Sequence, residues 1–203
     1  MKKIIKRLSI LAMAVAVLFV VALIKDRQTL KNELVRLHVV GASNSQQDQS
    51  IKLSVRDAVL ASLGEALHDL ADVQQAQQYI QTHLPQIEAA ANETLRQLGV
   101  DQQAVVQFVE EEFPVREYET FSLPSGVYQS LRIIIGEGSG RNWWCVIFPT
   151  LCMGATSAEV EDVAAGAGFS EALVDTITEN EGYRIRFYLL DVLGRVENLF
   201  HRG

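Results

Sequence analysis

The sequence predicts an α+β fold: a two-layer domain with a mainly antiparallel sheet packed against helices, preceded by an N-terminal hydrophobic export helix. Three observations lead there. A basic cluster precedes a long apolar run at the N-terminus. Apolar residues then recur at helical spacing through residues 45–98, and beyond Ala104 the period shortens to that of strands. The aromatics mark the same change, because residues 25–105 hold one, Tyr79, whereas Phe108, Phe113, Tyr118, Phe121, Tyr128, Trp143, Trp144 and Phe148 crowd the next stretch. A strand, three helices, several strands and a late helix are the order of an α+β domain. At 203 residues and 48% hydrophobic content, the chain can bury one sizeable core.

Residues 1–24 form the export segment. Lys2, Lys3, Lys6 and Arg7 precede Leu8–Ile24, 17 residues broken by one hydroxyl, Ser9. As a helix this run spans about 26 Å, short of a roughly 30 Å hydrocarbon layer yet longer than the usual apolar part of a signal peptide. A cleaved signal, with Val20 and Ala22 offering a site, and an uncleaved anchor touching membrane through residues 8–24 both fit. Either way the leading cations place residues 25 onward outside the cytoplasm. Residues 25–33 read as a polar tether, and 34–203 as a single extracytoplasmic domain. The formal net charge is -7, and residues 1–24 carry four cations and no acid, so the remainder is at -11. Such an acidic body argues against nucleic acid as a partner.

Along the domain, Leu37 and Val39 alternate with Arg36 and His38 in a strand that stops at Gly41. Ser45 and Asp48 resemble a capping box ahead of Ile51, Val55, Val59, Leu63 and Leu67 at helical spacing. Asp72 and Gln75 repeat that start signal, Pro85 is expected to end or kink the helix at His83 or Leu84, and a third helix, 86–98, closes at Gly99. Strands are predicted at 104–110, 116–123, 126–135 and 143–148, with a turn at Pro124, Ser125 and Gly126. A short surface helix is expected within 156–168, another from Ser170, then a strand alternating Tyr183, Ile185 and Phe187 that passes into a last helix.

The centre of this plan is Leu131–Cys152, two apolar runs around a loop with Gly136, Gly138 and Gly140, read as a central hairpin. GEGSG lacks the spacing and following helix of a dinucleotide loop, so no cofactor is expected. Two cysteines and four scattered histidines have no metal-ligand spacing, so no metal is expected either. Cys145 and Cys152 are a possible disulfide. An extended chain would hold them roughly 23 Å apart, so the bond requires a turn at Phe148, Pro149 and Thr150 that brings the Cα atoms to about 5.5 Å; two buried thiols are the alternative. Cys145 with His38 is the best nucleophile–base pair, as in an extracytoplasmic cysteine hydrolase acting on cell wall, but an apolar strand disfavours the thiolate. Adjacent tryptophans in a strand face opposite ways, one into the core and the other under a helix or against a partner. Arg36 and His38 fit a solvated strand face or a buried network with Asp57 or Glu137.

Two blocks carry a resemblance. RLHVVGASNSQQDQSIKLSVRDAVL, residues 36–60, resembles the strand, polar turn and VRDAVL helix of the stage II sporulation protein R family of endospore-forming bacteria. LPSGVYQSLRIIIGEGSGRNWWCVIFPTLC, residues 123–152, is similar to that family's LPxGxY turn and NWWCVxFPxLC segment, with FPVREYETFSLP between the two. The family's turn reads closer to ANSDS where this chain has Gly41–Ser45. The resemblance covers residues 34–152 and implies a signalling protein rather than an enzyme. Such a protein is exported from the forespore into the space between forespore and mother-cell membranes, secreted or membrane-anchored. There it activates a membrane-embedded aspartic protease that processes pro-sigma-E. The expected partner-binding residues are Trp143, Trp144, Arg141, Asn142 and Glu137, with Arg36 and His38 second.

Overall fold

The computed structural model describes residues 2–151, 160, 166, 169–178 and 184–201. Its elements are α1 (Lys2–Asn32), β1 (Val35–Val40), α2 (Gln46–His68), α3 (Val73–Gln97), β2 (Ala104–Phe113), β3 (Arg116–Glu117), β4 (Ser122–Leu123), β5 (Gly126–Ile135), β6 (Asn142–Phe148), α4 (Glu171–Ile177) and α5 (Arg184–His201). Four strands form a mixed sheet in the order β2-β5-β1-β6, antiparallel except for the β1–β5 pair, and β3 and β4 form a small sheet of their own. The α+β class holds. One face of the sheet, through Leu37, Val39, Leu131, Ile133, Cys145 and Ile147, shares a core with Val55, Val59 and Leu63 of α2 and Ile80, Ile87 and Leu95 of α3. The opposite face is covered too, by a second core that joins Phe113, Tyr128 and Val146 to Leu30, Leu173 and Leu190 of α1, α4 and α5.

Several elements differ from the sequence reading, each for a packing reason. The expected central hairpin is absent, because β1 lies between β5 and β6, and all six of its residues are buried, as suits a strand covered on both faces. Pro85 sits inside an unbroken α3 rather than between two helices. An interior proline costs about 3 kcal/mol, but Ile80, Ile87, Ala91 and Leu95 keep one burial phase across it. Each of the larger side chains contributes about 1.5–3 kcal/mol of burial, so packing wins. The cap at Ser45, which accepts from Asp48 N at 3.0 Å, and the cap at Asp72, which accepts from Gln75 N at 2.8 Å, are as read.

The predicted tether is helical. Residues 25–32 are the last two turns of α1, and Leu23, Asp26, Leu30 and Leu34 turn one stripe into the domain. Asp26 pairs with Arg186, Arg27 with Glu197, and Lys31 Nζ donates to Glu197 Oε1 at 2.6 Å. The strand expected around Ile185 and Phe187 is instead the first turn of α5, whose residues Leu190, Asp191 and Gly194 face the sheet at helical spacing. The single strand expected at 116–123 is the β3–β4 pair, and β2 runs on to Phe113. The helix from Ser170 is present, with Ser170 as its cap. Of the helix expected within 156–168, Val160 and Gly166 are helical and the remainder lies outside the described residues, as do Cys152 and Tyr183.

The glycine loop arches over the end of β1 and fastens to it. Ser139 N and Oγ both donate to Ala42 O, Gly140 N donates to Gly41 O at 2.8 Å, and Arg141 N donates to Asn44 Oδ1 at 2.8 Å. Lys52, buried from α2, donates to Arg141 O at 2.9 Å. A Cβ on Gly140 would fall 2.3 Å from Ser43 O and 2.7 Å from Gly41 O, both backbone atoms. Gly140→Ala is therefore expected to detach the loop and cost roughly 1–3 kcal/mol, as overpacked sites do. An unchanged urea midpoint would show that the crossing yields freely.

Candidate functional site

The seven residues singled out from the sequence do not form one face. Strand alternation puts Arg36, His38 and Trp144 on the side of the sheet facing α1 and α5, and Trp143 on the side facing α2 and α3. Glu137, Arg141 and Asn142 are exposed along the glycine loop and the start of β6. Arg56 lies over the Trp143 ring at 4.2 Å, so this tryptophan is half-buried under a cation.

Arg36, His38 and Trp144 do meet, in a buried cluster completed by residues that the sequence did not single out for this role. Arg36 is fully buried, its guanidinium between the rings of Phe113 (4.3 Å) and Tyr128 (5.0 Å). Its Nε donates to Cys145 O at 3.1 Å and its Nη2 to Tyr118 Oη at 2.8 Å, whereas Nη1 has no protein partner. His38 stacks on Trp144 at 3.7 Å, and its Nδ1 lies 2.9 Å from Glu111 Oε2, which also faces Arg132. His38 Nε2, Glu111 Oε1 and Ser130 Oγ are likewise buried without protein partners. The partner of His38 is thus Glu111, not the Asp57 or Glu137 considered from sequence. Glu111 sits in a run of three glutamates that reads as solvated, but its alternation with Phe113 was the available signal.

The cluster reaches the surface at Trp144, which lines a cleft of about 570 Å³ with Phe113, Pro114, Val115, Asn198 and Leu199. Among the described residues, no group of His, Cys, Asp and Glu is placed to hold a metal. Cys145 is disulfide-bonded and points to the opposite side of the sheet from His38, so the nucleophile–base pair weighed from the sequence is not assembled. The chain's other cysteine is Cys152. After β6 the chain turns at a cis Phe148–Pro149 bond.

Burial pushes the Tyr128 hydroxyl up to about 12, partly offset by the nearby Arg36 and Arg27, and the hydroxyl donates to Pro124 O at 2.9 Å. The unfolded chain loses this proton near pH 10, two units earlier. The stabilisation is therefore complete below pH 10 and falls by about 2–3 kcal/mol as pH rises towards 12. Comparing urea midpoints of wild type and Tyr128→Phe at pH 8 and 11.5 should show the wild type losing more stability; parallel losses would contradict the assignment.

These features define a class: an α+β domain carried on an apolar N-terminal helix of the export or anchor type, with Arg36 and His38 buried against its sheet. The chain belongs to the stage II sporulation protein R family, whose sequence profile matches residues 31–158. It is 32% identical over 180 residues to stage II sporulation protein R of Bacillus subtilis (strain 168), an alignment covering 80% of each protein. No solved structure matches it.

Proposed function

We propose that this chain is an exported signalling protein of endospore formation. It crosses from the forespore into the space between the two sporulation membranes and activates a membrane-embedded aspartic protease, leading to processing of pro-sigma-E. Its role is that of a ligand rather than a catalyst. The observation that carries this reading is family membership joined to α1, the one helix among the described residues long and apolar enough to cross a membrane. We take α1 to be inserted in the bilayer with the domain on the outer side. Activation requires tighter binding to the protease's active state than to its resting one. The exposed loop residues Glu137, Arg141 and Asn142 are the part of the expected face that a partner can touch directly. Arg36 and His38 are buried and Trp144 half-buried, on the side of the sheet that faces α1 and α5.

The test is co-expression with the protease and pro-sigma-E in a non-sporulating host, comparing the full chain with one lacking residues 1–22. Precursor cleavage with the full chain alone is the expected result. No cleavage with either, given proven export and a working activator from the same family as control, would overturn the proposal.

A further inference from the structure

The last turns of the export helix pack into the domain, and this bears on which surface meets the lipid. Side chains from Ile4 to Val21 are exposed, and burial begins at Leu23. Residues 4–22 make a shaft of about 28 Å, close to the roughly 30 Å hydrocarbon layer. The domain therefore starts where the bilayer ends. α5 docks on the next turns, Arg186 to Asp26 and Glu197 to Arg27 and Lys31, about 6–14 Å beyond residue 22. These pairs hold α5 beside the last two turns of α1, the part of the domain that adjoins the apolar shaft. β1 begins at Val35, just past the end of α1, and Leu23 and Leu30 of α1 share a core with Phe113, Tyr128 and Val146 of the sheet.

α5 uses Leu190, Asp191 and Gly194 against Ser125 and the core. The opposite side carries Tyr188, Val192 and Val196 at four-residue steps, with Arg195 and Leu199 at its border with the Trp144 cleft. Tyr188 is 63% exposed, Leu199 70% and the adjacent Phe200 83%. An apolar face with one aromatic hydroxyl and one cation, on a helix docked about 6–14 Å beyond the hydrocarbon edge, has the composition of a helix that meets the headgroup layer. We propose that this outer face of α5 is a second membrane contact, resting on the bilayer that α1 enters and fixing the orientation in which the domain is presented. The inference rests on the reading of α1 as membrane-inserted.

The test uses the full chain in vesicles of phosphatidylethanolamine and phosphatidylglycerol, with a photoreactive phenylalanine analogue placed singly at Phe19, Val196, Leu199 or Leu98. Leu98 is exposed at the end of α3, next to the distal end of the sheet. The expected result is lipid adducts at Phe19, Val196 and Leu199 several-fold above those at Leu98. Adducts at Phe19 with only the Leu98 level at Val196 and Leu199 would overturn the second contact and leave the anchor standing. Cross-linked dimers through Val196 or Leu199 in place of lipid would also overturn it, assigning the face to a second copy. Absence of adducts at Phe19 would overturn the anchor reading and this inference with it.

Discussion

Gly194→Ala is expected to lower the thermal midpoint of the protein in detergent by roughly 5–15 °C, although alanine is the better helix former. A Cβ at position 194 would fall 1.7 Å from Ser125 O and 2.5 Å from its carbonyl carbon. Neither backbone atom can rotate away, so α5 would have to move outward by more than 1 Å on the scale of ordinary contacts. That movement strains three bonds at once: Ser125 N and Oγ to Asp191 Oδ1, at 3.0 and 2.6 Å, and Ser125 Oγ to Asp191 O. Burial alone would raise the Asp191 carboxyl, but the Ser125 hydrogen bonds and Arg195 outweigh it and hold the group below its usual range. The substitution gives up this stabilisation of the charged form. Overpacking at about 1–3 kcal/mol and loss of hydrogen bonds to a charged group at about 1.5–3 kcal/mol exceed the roughly 1 kcal/mol gained in helix propensity. The net cost is about 2–5 kcal/mol, which at this chain length corresponds to that fall in midpoint. Gly64→Ala in α2 is the control, because nothing lies within 4 Å of a Cβ there and only the propensity gain applies. A Gly194→Ala midpoint as high as that of Gly64→Ala would mean that α5 is not held against Ser125.

This clamp also shows where the sequence was silent. Helix caps at Ser45 and Asp72, the stop at Gly99 and the bounds of β5 were legible because they depend on residues close in sequence. The polar stretch KDRQTLKNE has no apolar repeat strong enough to announce a helix. Its order comes from partners 98 or more residues away, Ser125, Arg186 and Glu197, which local patterning does not encode. The false hairpin has the same origin, since two apolar strands joined by a glycine loop look adjacent unless a third strand is known to lie between them. The pairing of Arg36 and His38 with one face of β1 followed from alternation. Their burial did not, because it depends on Glu111 and Phe113 of β2 and on Tyr118 of the β3–β4 turn.

Arg36 offers the largest test of whether the buried cluster serves the fold or the signal. Arg36→Ala is expected to destabilise the protein by roughly 3–5 kcal/mol. It empties the space between Phe113 and Tyr128 and removes the donor to Cys145 O and Tyr118 Oη. Arg36→Met is a different experiment. It keeps an unbranched stem between the two rings and removes the cost of holding a cation away from water, which offsets the loss of the donor to Cys145 O and Tyr118 Oη. Arg36→Lys keeps the charge but loses the planar fork that stacks on both rings while donating from two nitrogens. If the cation serves only to fill the core, Arg36→Met should melt close to wild type and still support pro-sigma-E processing. The geometry favours the other outcome, because a fully buried guanidinium with one unpartnered nitrogen is a costly filler beside the apolar alternative. We therefore expect Arg36→Met to fold with near-native stability and to lose most processing in co-expression, with Arg36→Lys failing in both respects. Full processing by a stable Arg36→Met protein would confine Arg36 to packing and leave the exposed loop residues as the place to look for the signal.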